Sequence, residues 1–290
     1  MFVLGDGRVL AAATTEAPIV SRVLNIATQT WSVVDPTAVD GGSSAMYAPG
    51  KILKSGRSVD PDQPVIPSTA TTYVLDMNQP TPRWRQTAPM NFARVYHTLT
   101  LLPDGTVLAT GGGPTTDAVG VDNAVLAAEL WNPATETWTT LAAMQRPRLY
   151  HSNALLLADA RVLVLGGGRF NGGNAPTDQL SSEIFSPPYL FKGARPVITA
   201  APSTAAYGSG LSVQTPDAAS IGSVVLIRLG TVTHSFNTNQ RIVPLQFSAA
   251  AGTLSVQTPA NANLAPPGHY MLFILNTNGV PSVASIVQLQ

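Results

Sequence analysis

The 290-residue chain contains no cysteine, which excludes disulfide bridges, thiolate metal sites and cysteine nucleophiles in one step. The redox compartment stays open, because large secreted β proteins fold without bridges. Charge is scarce as well: Asp, Glu, Lys and Arg supply 11% of the residues, against roughly 25% in ordinary soluble domains. The 16 basic and 16 acidic residues cancel and form no basic stripe. The electrostatic footprint of phosphate-backbone binding is therefore missing, and nucleic acid is not an expected partner. No apolar run approaches the roughly 18 residues of a spanning helix, and the opening MFVLGDGRVLAAATTEAP lacks the basic start of a signal peptide. Neither a membrane segment nor a leader is read from it.

What is present points to β structure. Hydrophobic residues make up 44% of the chain, enough for a sizeable core, and Gly and Pro number 24 each, marking frequent turns. The sequence repeats. NFARVYHTLTLLPDGTVLATGGG at 91–113 matches QRPRLYHSNALLLADARVLVLGGG at 145–168, and the copies are followed by AAELWNPATETWTTLAAM (127–144) and SSEIFSPPYLF (181–191). Within the first copy, β-rich runs at His97–Leu102 and Thr106–Thr110 flank the turn Pro103-Asp104-Gly105, a hairpin signal. Glu129-Leu130-Trp131 then meets the turn Asn132-Pro133-Ala134-Thr135, and Glu136-Thr137-Trp138 opens a fourth strand. Four strands in about 50 residues describe one blade of a kelch-type propeller.

Weaker copies lie upstream, one from Ser43 through Gly56 with Tyr73–Asp76 and Trp84, another from Gly5 through Leu10 with Val23-Leu24-Asn25 and Trp31. The expected architecture is all-β: a partial propeller of about four blades over 1–193, the first of them incomplete. It is followed over 194–290 by an immunoglobulin-like sandwich with strands at Leu211–Thr215, Ser223–Leu229, Val243–Phe247, Thr253–Gln257 and Tyr270–Leu275.

The chain resembles the galactose oxidase and glyoxal oxidase family, the copper-radical oxidases. The stretches that carry the resemblance are MNFARVYHTLTLLPDGTVLATGG, LYHSNALLL, EIFSPPYLF, ARPVI, VVLIRLGTVTHSFNTNQRIVPL and PPGHYMLFILNTNGVPSVAS. It implies that Tyr150 is the axial tyrosine, and that Tyr150, His151 and His234 are ligands of a single copper ion, with His234 delivered by a loop of the final domain. Tyr96 and His97, one repeat earlier, fall where the family has no ligand. The implied activity is oxidation of a primary alcohol or aldehyde by O2 with release of H2O2, on a small alcohol, aldehyde or carbohydrate, by an extracellular protein. The family's tyrosyl radical, cross-linked to a cysteine, is expected from a segment upstream of these residues, and Tyr96 has no thiol partner here.

Chemistry agrees with that division. Imidazole and phenolate in a tetragonal arrangement suit Cu(II), and a bound copper lets a phenol of ordinary pKa roughly 10 act as a base near neutrality. Adjacent residues of an ideal strand face opposite ways, so Tyr150 and His151 share an ion only where the chain leaves regular pleating, and Pro147 makes such a departure plausible. The plainer readings are that a Tyr-His pair on a strand packs, as we read His97; that His269 lies at the surface or packs; that Gly111–Gly113 and Gly166–Gly168 are turn residues; and that Arg8, Arg57 and Arg94 are solvated loop arginines. Two other functions compete: a non-catalytic kelch and sandwich protein that binds a glycan or cell-surface partner, and a sialidase-like hydrolase, which lacks clustered arginines or paired carboxylates. The loops Gly113–Val125 and Gly168–Leu180 carry no diagnostic substrate constellation.

Overall fold

The computed structural model describes residues 1–12, 18–57, 64–116, 121–168 and 178–290. Residues 117–120 of the Gly113–Val125 loop and 169–177 of the Gly168–Leu180 loop lie outside these. The described residues are almost wholly strand and turn, with three short 3-10 turns.

Four antiparallel sheets follow one another along the chain. Blade 1 holds β1 (Phe2–Val3), β2 (Val9–Ala11), β3 (Val20–Asn25) and β4 (Thr30–Ala38); blade 2 holds β5 (Ser43–Ala48), β6 (Lys51–Ser55), β7 (Thr72–Asp76) and β8 (Arg85–Gln86). Blade 3 holds β9 (Thr98–Leu101), β10 (Val107–Thr110), β11 (Ala127–Asn132) and β12 (Thr137–Ala143). Blade 4 has three strands, β13 (Ser152–Leu156), β14 (Val162–Gly166) and β15 (Ser182–Phe185). The first blade thus carries four strands, its innermost only two residues long, and among the described residues it is the last blade that has three.

A repeated tryptophan stitches neighbouring blades. Trp138 of β12 donates its indole N–H to Thr72 of blade 2 at 3.0 Å, and Trp84, just before β8, donates to Ser21 of blade 1 at 2.9 Å. Trp31 holds the corresponding place in blade 1 and is 49% exposed beside Ile19 and Val33, because no described blade lies on that side.

The repeat is also held from within. Arg94 is fully buried with Glu129, bonding its carboxylate at 2.9 and 3.0 Å and the carbonyls of Gly111 and Ala127 at 2.6 and 2.5 Å. It is a structural clamp and not the solvated loop arginine that its neighbourhood in sequence suggested. Loop position misled because each of the three guanidinium nitrogens finds a partner inside the blade, which makes burial of the charge tolerable.

After blade 4 the strands are β16 (Thr204–Ala205), β17 (Gly210–Gln214), β18 (Ile221–Arg228), β19 (Ile242–Leu245), β20 (Phe247–Ala250), β21 (Thr253–Gln257), β22 (Gly268–Asn276) and β23 (Ser285–Leu289). They form a five-stranded sheet, β16-β23-β22-β18-β19, facing a three-stranded one, β17-β21-β20. The run expected as one strand over Val243–Phe247 breaks at Gln246, so β19 and β20 belong to different sheets. β17 and β21 alternate buried and exposed, as strands wet on one face do, whereas β18 and β22 carry unbroken buried runs. The cause is a second covering layer. Val224 and Leu226 point into the sandwich, while Val225 and Ile227 join a core shared with Leu101 and Trp131 of blade 3.

His97 shows how a titratable group fits such a scaffold. It is fully buried, its Nε2 lies 2.9 Å from Ser55 Oγ, and burial, with the Arg94 guanidinium adding to it, pushes its pKa down to about 3. The folded state therefore holds the neutral ring, and its contribution to stability is complete above the unfolded value of 6.5 and lost as pH falls below it. Wild-type stability should fall by about 1.4 kcal/mol per pH unit from pH 6.5 downward relative to His97→Gln. Urea unfolding at a series of pH values checks this, and parallel curves would refute it.

Candidate metal centre

Tyr150 and His151 lie in the turn that leads into β13. The Ser152 amide donates to the Leu149 carbonyl at 3.0 Å, so Tyr150 and His151 are the two central residues of a β-turn. His151 takes the second with φ of +63°, the left-handed region that such a position demands and that usually calls for glycine. This is the departure from pleating that a shared site requires. In blade 3 the left-handed residue is Tyr96, φ +62°, one place earlier. That shift sends the two histidines of near-identical motifs in different directions: His97 into the blade against Ser55, His151 out to solvent.

His234 arrives from the loop between β18 and β19. Thr233 and Phe236 exchange backbone hydrogen bonds at 2.8 and 2.9 Å around His234-Ser235, whose φ values are +50° and +69°. Two consecutive left-handed non-glycine residues cost roughly 1–2 kcal/mol each, and such strain concentrates at working sites. The loop is seated by buried polar groups that reach the inner strands of the blades. Gln240 donates to Leu99 O at 2.7 Å and accepts from Leu101 N at 2.8 Å, behaving as a further β partner for β9. Ser43 of β5 donates to Ser235 O at 2.9 Å, and Arg241 donates to Val3 O of β1 at 2.5 Å.

The outcome is convergence. His151 Nε2 and His234 Nε2 lie 3.2 Å apart although 83 residues separate them. The Tyr150 ring centroid is 3.9 Å from that of His151 and 5.5 Å from that of His234. Thr233 Oγ1 lies 2.5 Å from His234 Nδ1, holding the ring by that nitrogen and leaving Nε2 toward His151. Both histidines are exposed and Tyr150 is half-buried. Two imidazole nitrogens at a separation one ion can bridge, with a phenol alongside, form a donor set that fits copper. Tyr96, read from sequence only as scaffold, packs edge-on against Tyr150 with centroids 5.3 Å apart, its hydroxyl 3.2 Å from Thr116 O. His269 lies exposed on β22.

Fold and cluster together define an all-β propeller and sandwich protein with a Tyr-His-His site where a sandwich loop meets the blades. Comparison with known proteins narrows this. Residues 50–189 match the model of the glyoxal oxidase N-terminus, and residues 195–289 match the galactose oxidase-like early set domain. A galactose oxidase of Gibberella zeae is 35% identical over 259 residues, covering 86% of this chain and 37% of that protein. The aldehyde oxidase GLOX of Vitis pseudoreticulata is 35% identical over 237 residues, covering 72% of this chain and 44% of that one. The chain belongs to the galactose oxidase and glyoxal oxidase family, and it spans less than half the length of these two relatives. A fungal alcohol oxidase solved in complex with copper shares the fold, with a TM-score of 0.81 at 24% identity, over 99% of this chain and 74% of that one.

Substitutions in the His234 loop should act with opposite signs. Ser235→Gly relieves a left-handed residue and raises stability by about 1 kcal/mol. Gln240→Leu strands a buried carbonyl and amide of β9 and lowers it by about 2 kcal/mol. Denaturant midpoints of the two variants check this.

Proposed function

We propose that this chain is the copper-holding portion of a copper-radical oxidase that oxidises a primary alcohol or aldehyde, on a small molecule or a carbohydrate, with O2 as acceptor and H2O2 as product. The observation that carries the reading is the approach of His151 Nε2 to within 3.2 Å of His234 Nε2 from a different part of the fold. His151 and His234 hold one copper ion as neutral imidazoles, each fixed by a strained turn that leaves it little freedom to reorganise. Tyr150 completes the ligand set and serves as the base, its phenolic oxygen taking the substrate hydroxyl proton. Bound copper supplies a Lewis-acidic seat for the substrate oxygen and acceptance of one electron. Removing two electrons from an alcohol needs a second acceptor, and with no cysteine this chain offers no thiol for a cross-linked tyrosyl radical.

The division we propose is a propeller portion over 1–193 and a sandwich over 194–290, the latter contributing His234. Secretion is the compartment the family suggests. Among the described residues no helix is long and apolar enough to cross a membrane.

Copper titration of the purified chain, followed by calorimetry and paramagnetic resonance, tests the reading. One Cu(II) should bind with nitrogen hyperfine structure, His151→Ala and His234→Ala should each weaken it about 10-fold or more, and His97→Gln should not. The same preparation should yield no H2O2 from galactose, methylglyoxal or benzyl alcohol. Equal loss of copper in the His97 variant, or no binding by the wild type, overturns the assignment. Copper-dependent turnover abolished by Tyr150→Phe shows that the second electron goes somewhere other than a cysteine-linked tyrosine.

A further inference from the structure

The Arg94 clamp of blade 3 has a counterpart that sits directly beneath the candidate metal centre. Arg148 and Glu183 follow Arg94 and Glu129 by the same 54 residues. Arg148 is fully buried, and its guanidinium donates to Gly166 O and Ser181 O at 2.9 Å, to Ser181 Oγ at 3.2 Å and to Glu183 at 3.3 Å. Glu183 also accepts the amides of Gln145 and Arg146, at 2.7 and 3.1 Å. The segment before the turn is thereby tied to β14 and β15 of its own blade.

The backbone of Arg148 is tied to the neighbouring blade. Its carbonyl accepts the Gly112 amide at 2.6 Å, and a Cβ at Gly111, φ +72°, would collide with that carbonyl oxygen. Arg148 is therefore fixed by side chain and main chain immediately before Leu149, the residue whose carbonyl closes the Tyr150–His151 turn. Freedom at this point would transmit directly to the His151 ring.

We propose that Arg148 is a positioning residue for the metal centre: its buried fork sets the turn so that His151 Nε2 meets His234 Nε2, while the equivalent Arg94 clamp precedes a histidine, His97, that packs inside the blade. The two clamps differ in a way that suits this. Arg94 grips one carboxylate oxygen, Oε2, of a fully buried Glu129 through both Nε and Nη2, while Oε1 accepts the Asn91 amide. Arg148 makes one longer contact to a Glu183 whose side chain is 24% exposed, leaves its buried Nε without a partner among the described residues, and gives three of its hydrogen bonds to Gly166 and Ser181. A lysine supplies the charge but not the fork, so it cannot span those acceptors together.

The inference rests on the copper reading, and blade 3 provides an internal control. Arg148→Lys, Glu183→Gln and Arg94→Lys are compared in the 290-residue chain by calorimetric copper titration, by the Cu(II) resonance spectrum and by melting temperature. In the Arg148 and Glu183 variants copper affinity should fall about 10- to 100-fold and the hyperfine pattern should change, whereas Arg94→Lys, with a comparable loss of melting temperature, should stay within about twofold. A copper-free arm keeps the two ideas separate: the nuclear Overhauser contact between the His151 and His234 ring protons should persist in wild type and Arg94→Lys and vanish in Arg148→Lys. If wild type binds no copper but this contact behaves as stated, the metal reading fails and the positioning role stands. Equal effects of Arg94→Lys and Arg148→Lys on both readouts, or an unchanged ring contact in Arg148→Lys and Glu183→Gln, overturn the inference.

Discussion

Strands that line the middle of a propeller present backbone donors and acceptors toward the axis, and a polar group must meet them there. In this protein the segment between β18 and β19 does so. The Gln240 amide pairs with both Leu99 and Leu101, Ser235 accepts from Ser43, and Arg241 reaches Val3, so one sandwich loop is bonded to three blades and touches the fourth through the His234–His151 contact. The location of His234 follows from this satisfaction of inner-strand polarity. Once Gln240 and Ser235 are seated, the tight turn between them and Thr233 has one place to go.

Around that axis the blades use interchangeable parts. A buried arginine grips a glutamate and two carbonyls, and an outer tryptophan donates to a hydroxyl of the blade before it. A scaffold of repeated locks can absorb strain at one place. Three of the seven described non-glycine residues with positive φ, His151, His234 and Ser235, fall in this cluster; the others are Gln29, Tyr96, Glu136 and Ala160 of the blades. The sandwich is part of the same mechanical unit, since Val225 and Ile227 bury against the blades instead of facing water. Arg195 adds a polar tie, donating to Asp159 O of the β13–β14 turn and to Pro281 and Ser282 of the sandwich.

Several features were legible in the letters because they are local. Hairpin turns such as Pro103-Asp104-Gly105 and alternation in Gly210–Gln214 announce strands through backbone preference and period, and the 54-residue repeat announces blades. Misread features were those in which a distant group changes the meaning of a residue. Arg94 looked solvated because its partners Glu129 and Ala127 lie 33 or more residues away. The break at Gln246 was hidden because Val243–Phe247 is uniformly suited to strand, and only the geometry of two facing sheets requires a corner there. Tyr96 gained its neighbour Tyr150 through the packing of successive blades, which no local motif encodes.

The sequence by itself determined the all-β class, the repeat and its length, the shift to a sandwich, the absence of any thiol chemistry and, through resemblance, the three residues to watch. It could not decide between the two Tyr-His pairs from their own letters, because RVYHT and RLYHS have the same residue types in the same order. The tertiary structure distinguished them by moving the left-handed residue from the tyrosine in one copy to the histidine in the other. With that one-residue shift of positive φ, His97 packs into the blade against Ser55 while His151 lies exposed beside His234. What sustains the shift is long-range: the hydrogen bonds of Arg148 to β14 and β15, the Gly112 amide on its carbonyl, and a histidine waiting 83 residues further along the chain.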